Sequence, residues 1–291
     1  MELFEMLSSP VILKIFLRAA AVGVCVSICA SMLGVTMVLR RMSMIGDGLA
    51  HAGFGALAVA TLLDATGNFK TEIAIPIVMA ASLLLMYISE RGVAGDAAIA
   101  VVSTGMMTLG VLIFSFTTGY TADMCASLFG SASILTVTNG ELTASLILTV
   151  VVALAFALFY HKIFAVTFDE SFAAATGIHA AFYKIILSLL ISVTVVIGMN
   201  LIGSVMMSAL IVFPALTAMK ISKSFGHVMK FAALMSVISF AVGFLASCEL
   251  SLPVGASVVA VDIVLYAATA AVTSIKNSRK KQREAKKAAL S

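Results

Sequence analysis

Long apolar segments restrict the fold of this chain more than any other feature. A helix needs about 20 predominantly apolar residues to cross the roughly 30 Å hydrocarbon core of a bilayer. None of the segments shows the alternation of polar and apolar residues that marks membrane β-strands. The sequence therefore predicts an all-α, polytopic transmembrane helix bundle. The candidate spans are 14–39, 44–63, 72–89, 97–118, 141–161, 183–199, 202–219, 228–247 and 253–274.

The sixth and seventh candidates leave the number of spans open. Gly198, Asn200 and Gly203 interrupt the apolar sequence where these two segments meet. The interruptions fit two short crossings, and they also fit one broken hairpin near the outer surface. The prediction is therefore a bundle of eight or nine spans.

The composition excludes an ordinary cytosolic enzyme and a disordered chain. Hydrophobic residues make up 62% of the sequence and charged residues 11%, whereas a soluble domain is about 25% charged. No stretch outside the spans is long enough to form a soluble domain with chemistry of its own. We predict a transmembrane domain over residues 1–275 and a basic cytoplasmic tail over 276–291.

The basic residues predict the orientation of the chain, because cytoplasmic loops carry an excess of Lys and Arg. Only Lys14, Arg18 and Lys70 oppose an N-terminus outside and a C-terminus inside. The tail holds seven of the 18 basic residues, which suits contact with membrane lipid better than binding of nucleic acid. The residues that define the inner side are Arg40, Arg41, Arg91, Lys162, Lys184, Lys220, Lys223 and those of the tail.

The segment RRMSMIGDGLAHAGFG places an acid and an imidazole inside the second span. Asp47 and His51 are separated by four residues and share a helix face, which Gly55 continues. At about 1.5 Å per residue, His51 lies roughly 15 Å beyond Arg41, near the middle of the bilayer. Zn²⁺, Mn²⁺ and Fe²⁺ all accept oxygen and nitrogen ligands of this kind. A second copy of the helix across a dimer axis would bring the ligand set to four.

The same pair also has a purely structural interpretation. Asp47 and His51 would then hold a helix–helix contact by hydrogen bonding, because unpaired polar groups in lipid are costly. The small residues Gly46, Gly48 and Gly53 permit close helix packing, and they also leave room for an ion. The residues alone leave both interpretations open.

The predicted inner loop over 162–182 contains a candidate docking element. Asp169 is a candidate N-cap for a short helix that runs through Thr176, with Gly177 as the residue that ends it. Glu170 and Ala174 lie within this helix. A compact helix between two spans suits the docking of a partner, although an amphipathic linker is the plainer alternative.

Other polar or helix-breaking residues give weaker indications of a transport path. Pro214 is expected to break or kink the seventh span. Asp262 lies inside the last span, either on a pathway or as a buried acid satisfied by a neighbouring Ser or Thr. Asp123 and Glu249 are predicted on the outer side, where acidic groups gather cations or are simply solvated.

The sequence lacks the motifs of several enzyme classes. No phosphate-binding GxxxxGK[ST] loop is present, since no Gly is followed by Lys. No HExxH or GxSxG pattern nominates a hydrolase centre either. We therefore expect a chain that is not an enzyme and does not hydrolyse ATP itself.

Several blocks together resemble the ABC-3 family of metal-ion importer permeases. The main one is LGVTMVLRRMSMIGDGLAHAGFGALAVATLL, which holds Asp47 and His51. The similarity covers roughly residues 15–275. Further matches follow in order along the chain: ASLFGSASILTVTNGEL, FDESFAAATGI, LIGSVMMSALIVFPALTA and LPVGASVV.

This resemblance implies a type II ABC importer of the bacterial cytoplasmic membrane. Two copies of the permease would sit on two cytoplasmic ATPase subunits, and an extracytoplasmic metal-binding protein would deliver Zn²⁺, Mn²⁺ or Fe²⁺. No cofactor would be bound permanently. The resemblance places Asp47 and His51 on the metal path and the segment Asp169–Gly177 at the ATPase, and it aligns Pro214 with the family's proline-containing span. One departure is Ser251, which stands where the family often has Asp.

Two other functions remain open on the residues alone. A secondary transporter driven by an ion gradient would use Asp47, His51 and Asp262 as a proton relay. A structural or sensory membrane scaffold would use the polar pair only to hold helices together. Neither the ion carried nor its affinity follows from the sequence.

Overall fold

The computed structural model describes residues 10–63, 70–89, 95–117, 128, 137–250 and 252–288. Within these ranges every regular element is a helix, as the sequence predicts. The helices are α1 (Pro10–Leu39), α2 (Ser43–Leu63), α3 (Lys70–Ser89), α4 (Gly95–Thr117), α5 (Asn139–Phe168), α6 (Glu170–Ala175), α7 (Ala180–Ile202), α8 (Ser204–Ile221), α9 (Phe225–Leu250) and α10 (Val254–Ala288).

Nine of the helices in the described part of the chain are long and apolar enough to cross a membrane, all except α6. Each overlaps one of the predicted spans. Helix α5 has 30 residues where the sequence predicts 141–161. A helix of this length measures about 45 Å, so it exceeds the roughly 30 Å hydrocarbon core by about 15 Å.

The junction of α7 and α8 resolves the choice between two crossings and a broken hairpin. The helices are separated by a single residue, Gly203, whose φ of 90° and ψ of 154° are accessible almost only to glycine. Gly198 and Asn200, the other predicted interruptions, lie inside α7. Two separate helices therefore form, and each is long enough to span.

The centre of the bundle is built on α1 and α2. Helix α1 packs against α5, α7, α8 and α9, and α2 packs against α3, α4, α7 and α8. Polar side chains in these apolar spans bond to backbone carbonyls, as Ser236 Oγ does to Ser27 O at 2.9 Å. By contrast, most of the spanning part of α10 is exposed and forms an outer face. The two most buried spans are thus consecutive in the chain.

The connection between α1 and α2 is a tight turn over Arg40, Arg41 and Met42. Met42 N donates to Met37 O at 2.9 Å, and Arg41 N donates to Val38 O at 3.0 Å. This is the Schellman pattern that ends many helices, usually with glycine at the left-handed position. Here that position is held by Arg41 with a φ of 59°. A side chain in this conformation costs about 1–2 kcal/mol, so the packing around the turn imposes its geometry.

Two helices continue past the limits that the sequence predicts. Pro214 does not end the seventh span, because α8 continues through it. A proline inside a membrane helix removes one hydrogen bond, and neighbouring helices compensate for it; here Pro214 is buried among them. At the C-terminal end, α10 passes without interruption across residue 275, the predicted limit of the transmembrane domain.

Candidate metal site

Asp47 and His51 lie on successive turns of α2 and face the same way. His51 Nε2 is 3.7 Å from Asp47 Oδ2, and the two side chains are 23% and 47% exposed respectively. His51 Nδ1 is buried and has no hydrogen-bond partner among the described residues. The distance is too long for a strong hydrogen bond. The pair is therefore not closed on itself and has donor atoms left for another group.

Both side chains line one cavity of about 440 Å³ between α2 and α4. Helix α4 contributes the hydroxyl groups of Ser103, Thr104 and Thr108. Apolar and thioether side chains complete the wall, and they are Met44, Ile99, Met107 and Val111. This volume exceeds that of one water, about 30 Å³, by more than tenfold. It has room for a hydrated ion or for side chains of a further helix.

Small residues bring α2 and α4 close together beside this cavity. A Cβ added at Gly55 would lie 3.0 Å from the carbonyl carbon of Met106, and one added at Gly110 would lie 2.6 Å from the Phe54 ring. Ordinary van der Waals contact begins at about 3.4 Å. Of the glycines predicted to allow close packing, Gly48 faces α4, because a Cβ there would lie 2.9 Å from the Ile99 side chain. Gly55 lies one turn beyond His51.

A single chain supplies too few strong ligands for a complete metal site. The described residues contain no group of three or more His, Cys, Asp or Glu side chains placed to hold one ion. Asp47 and His51 provide one carboxylate and one imidazole, whereas transition metals in closed sites take four or more ligands. Additional ligands must come from water, from the weaker hydroxyl donors of α4, or from another molecule.

The predicted docking segment has the caps that the sequence indicates. Asp169 Oδ1 accepts a hydrogen bond from Phe172 N at 2.9 Å at the start of α6. Gly177, with a φ of 83°, follows the C-cap Thr176. Gly177 N donates to Ala174 O and Ile178 N donates to Ala173 O, which is again the Schellman pattern. These caps fix the length of a helix that has only six residues.

Helix α6 is held against the bundle on one side and exposed on the other. Ala173 is fully buried against Val166, Ala180 and Tyr183. Phe172 and Ala174 are exposed. Glu170 makes two ionic contacts, at 2.6 Å to Lys184 Nζ and at 3.6 Å to the Arg40 guanidinium. The segment therefore presents an apolar surface outward, while its acidic side chain points to cations of α7 and of the α1–α2 turn.

With this geometry established, comparison with known proteins identifies the family. The model described as "ABC 3 transport family" matches residues 13–273. This chain belongs to the ABC 3 transport family. Relatives in the family include a "Probable metal transport system membrane protein" of Thermotoga maritima, 31% identical over 257 residues, with 86% of this chain and 88% of the relative covered. Another is the "Manganese transport system membrane protein MntC" of Listeria monocytogenes, 27% identical over 250 residues, with coverage of 86% and 87%.

Solved structures confirm the fold expected for an ABC 3 family member. PsaBC from Streptococcus pneumoniae in complex with Fab matches with a TM-score of 0.79 and 22% identity, covering 92% of this chain and 94% of that one. An inward-facing putative metal-chelate type ABC transporter matches with a TM-score of 0.70 and 16% identity, covering 90% and 89%. The helix bundle of this ABC 3 protein is therefore that of an ABC transporter membrane subunit.

The remaining predicted pathway residues of this ABC 3 protein do not gather at the cavity. Asp262 is 2% exposed within α10, and its buried Oδ2 has no hydrogen-bond partner among the described residues. Pro214 is buried in α8, and Glu249 is exposed near the end of α9. None of the three lines the cavity that holds Asp47 and His51. Asp123 lies outside the described residues.

Sequence reasoning missed two sets of residues in this ABC 3 protein. Thr104 and Thr108 are four residues apart in an otherwise apolar span, which is a detectable signal for one polar helix face. In the sequence, Arg40 and Lys184 indicate only the inner side of the membrane. Their contact with Glu170 had no local signal, because it joins three segments that are distant in sequence.

Proposed function

We propose that this chain is the membrane subunit of an ATP-binding cassette importer for divalent transition-metal ions. The observation that carries the proposal is the arrangement of Asp47 and His51 on one face of α2, open to a cavity, in a member of the ABC 3 transport family. The metal ion is the cargo, and no permanently bound cofactor is needed. ATP hydrolysis belongs to separate cytoplasmic subunits.

The chemistry of the site suits brief binding of such an ion. A carboxylate and a neutral imidazole are ligands for Zn²⁺, Mn²⁺ and Fe²⁺. With two strong ligands per chain and only hydroxyl and thioether groups around them, the site would bind the ion weakly enough to release it again during transport. The names of relatives as manganese transport proteins favour Mn²⁺ as the first cation to test.

A second copy of the chain would complete the site. Asp47 is half exposed, so its carboxylate is accessible from the open side of the cavity. If α2 and α4 of two copies face each other across a two-fold axis, two carboxylates and two imidazoles converge on the path. Alternating access would then follow from tilting of the paired helices around this point.

The exposed surface of α6 supports contact with the ATPase subunits. Phe172 and Ala174 form a small apolar projection that the caps at Asp169 and Gly177 hold rigid. Closure of the ATPase subunits would move this projection. Delivery from the opposite side would rely on a separate extracytoplasmic metal-binding protein. This arrangement requires the orientation that the basic residues predict, with the N-terminus outside and the C-terminus inside a bacterial cytoplasmic membrane.

A reconstituted transport assay tests the proposal. The permease, its ATPase subunits and its binding protein are incorporated in liposomes, and ATP-driven uptake of radiolabelled Mn²⁺ is measured. Asp47→Ala and His51→Ala are each expected to lower uptake on the order of tenfold or more, since even groups that only support metal ligands matter by 10–100-fold. Matched controls are Glu72→Ala and His227→Ala, which remove exposed groups that do not line the cavity.

Two outcomes would overturn the proposal. Full uptake by both site variants at normal expression would show that Asp47 and His51 do not lie on the metal path. Uptake driven by a proton gradient without ATPase subunits would favour the secondary transporter. Uptake of Zn²⁺ or Fe²⁺ in place of Mn²⁺ would leave the transport class intact and change the cargo.

A further inference from the structure

A three-residue ionic cluster joins the docking helix α6 to the bundle. Glu170, the first residue of α6, lies 2.6 Å from Lys184 Nζ and 3.6 Å from the Arg40 guanidinium. The two cationic side chains are only 6% and 11% exposed, whereas Glu170 is 47% exposed. The carboxylate thus lies at the edge of the bundle and reaches inward to two buried cations.

The surroundings of the two cations are tightly packed. Arg40 and Lys184 border a cavity of about 10 Å³ together with Thr36, Ser82 and Ser188, which is space for about one water. Ser82 Oγ also donates to Ser188 O and thereby links α3 to α7. Because the interior around the cations is rigid, a displacement of the carboxylate is transferred to their helices with little slack.

The position of Arg40 directs such a displacement to the metal-site helix. Arg40 caps the end of α1, and α2 begins three residues later at Ser43. Arg41, between them, holds a left-handed conformation that is unfavourable for a side chain. Asp47 lies about one turn into α2. A pull on Arg40 therefore acts on a turn that holds an unfavourable backbone conformation and that leads directly into α2, which carries the candidate metal ligands.

Helix α6 has few other connections that could transmit motion. Its apolar contact with the bundle rests on Ala173, which packs against the ends of α5 and α7 and does not reach α1 or α2. Among the contacts described for α6, Glu170–Arg40 is the one that reaches the α1–α2 turn. Glu170 accepts a charge-assisted hydrogen bond from Lys184 at 2.6 Å, and its contact with Arg40 at 3.6 Å is an ion pair that is longer than a hydrogen bond.

We propose that Glu170, through Arg40, is a positioning residue that couples movement of α6 to the orientation of α2 and its metal ligands. The inference rests on the proposed transport function. It assigns Glu170 an inward, transmitting role distinct from direct contact with the ATPase. The Lys184 contact holds the carboxylate in place between α7 and the turn.

The test uses the complete reconstituted complex, with Mn²⁺ as the probe. Glu170→Gln keeps the size of the side chain and removes its charge. ATP-driven Mn²⁺ uptake is expected to fall on the order of tenfold, within the range of coupling between sites. ATP hydrolysis and co-purification of the ATPase subunits are measured on the same preparations, and ATP hydrolysis is expected to fall less than uptake. The number of Mn²⁺ ions imported per ATP therefore falls, which a loss of stability alone does not produce.

Further variants sharpen the test. Arg40→Gln is expected to uncouple to a similar degree, and the double variant is expected to be no worse than either single one, since both single changes break the Glu170–Arg40 contact. Glu72→Gln, the same change at an exposed carboxylate of α3, is expected to leave the import ratio unchanged. If Glu170→Gln does not accumulate, Glu170→Asp and Arg40→Lys retain charge with altered reach and are expected to show partial uncoupling.

The outcomes separate this inference from the proposed function. If the wild-type complex does not import Mn²⁺, Zn²⁺ or Fe²⁺ with ATP, the proposed function itself fails. If the wild type transports and Glu170→Gln keeps its import ratio, the inference fails alone. Loss of ATPase co-purification would make Glu170 a docking contact, and additive effects of the two Gln variants would show that Arg40 and Glu170 act separately. Both results overturn the inference.

Discussion

The close contact between α2 and α4 gives a sharp prediction for Gly55→Ala. A Cβ at this position would lie 3.0 Å from the carbonyl carbon of Met106 and closer still to its oxygen. Because ordinary contact begins at about 3.4 Å and the obstacle is backbone, the carbon contact alone requires the two helices to separate by about 0.4 Å, and the oxygen requires more. That shift exceeds the tolerance of about 0.2 Å that metal-ligand distances allow. Since Gly55 lies one turn from His51, both stability and transport should suffer.

The size of the effect follows from two opposing terms. Replacing glycine by alanine inside a helix contributes about 1 kcal/mol of stability, whereas overpacking costs about 1–3 kcal/mol. Gly105→Ala is the matched control, because a Cβ at Gly105 in α4 meets no described atom within 4 Å. The two variants should therefore differ by the overpacking term alone. At about 2–4 °C per kcal/mol for chains of 150–250 residues, Gly55→Ala should melt at least about 2 °C below Gly105→Ala.

Both quantities can be measured on the same preparations. Thermal unfolding of the detergent-purified complex gives the apparent Tm, and Mn²⁺ uptake in liposomes gives the transport rate. We expect Gly55→Ala to have the lower Tm and a reduced uptake, and Gly105→Ala to have a Tm at or above that of wild type. Equal Tm values with full uptake by Gly55→Ala would refute the described approach of α2 to α4.

Three further predictions concern caps, strain and the buried acid. Asp169→Ala should accelerate hydrogen exchange of the amides over 170–176 on the order of fivefold, because an N-cap contributes about 1 kcal/mol. Asp169→Asn, which can also cap, should exchange like wild type. Equal exchange rates in Asp169→Ala and wild type would contradict the cap. Arg41→Gly should have a Tm equal to or above that of wild type. Arg41→Val should have a lower Tm, because the left-handed position disfavours a β-branched side chain. A higher Tm for Arg41→Val than for Arg41→Gly would contradict the turn geometry. Asp262→Asn should change Mn²⁺ uptake by less than about twofold, and a loss on the order of tenfold would place this acid on the ion path.

Features that depend on local sequence were predictable. The nine candidate spans follow from apolar length. The caps of α6 follow from the hydrogen-bonding side chain of Asp169 and from Gly177, which has no side chain. The family follows from the block around Asp47 and His51. Each of these signals is complete within about 30 residues, so no knowledge of packing is needed to recognise it.

Features that depend on how segments meet were not predictable. Gly198 and Gly203 look alike in sequence, but only Gly203 adopts the φ that separates α7 from α8. The hydroxyl-lined wall of the cavity comes from α4, and its polar residues are recognised as part of the site only once α4 is seen to pack against α2. The contact of Glu170 with Arg40 joins positions 130 residues apart, and such a pairing has no periodicity to reveal it.

The length of α5 determines the position of α6. The helix runs as one rod through its roughly 15 Å of surplus, and α6 follows directly after Asp169. Phe164 and Phe168 pack on the Phe225 ring at 5.5 and 6.1 Å between centroids and brace the rod where it leaves the bundle. The end of α5 thus sets the direction in which the exposed side of α6 faces. Each residue inserted near that end would rotate α6 by about 100° around the α5 axis, so the contacts of α6 with α7 and with Arg40 depend on the length of α5.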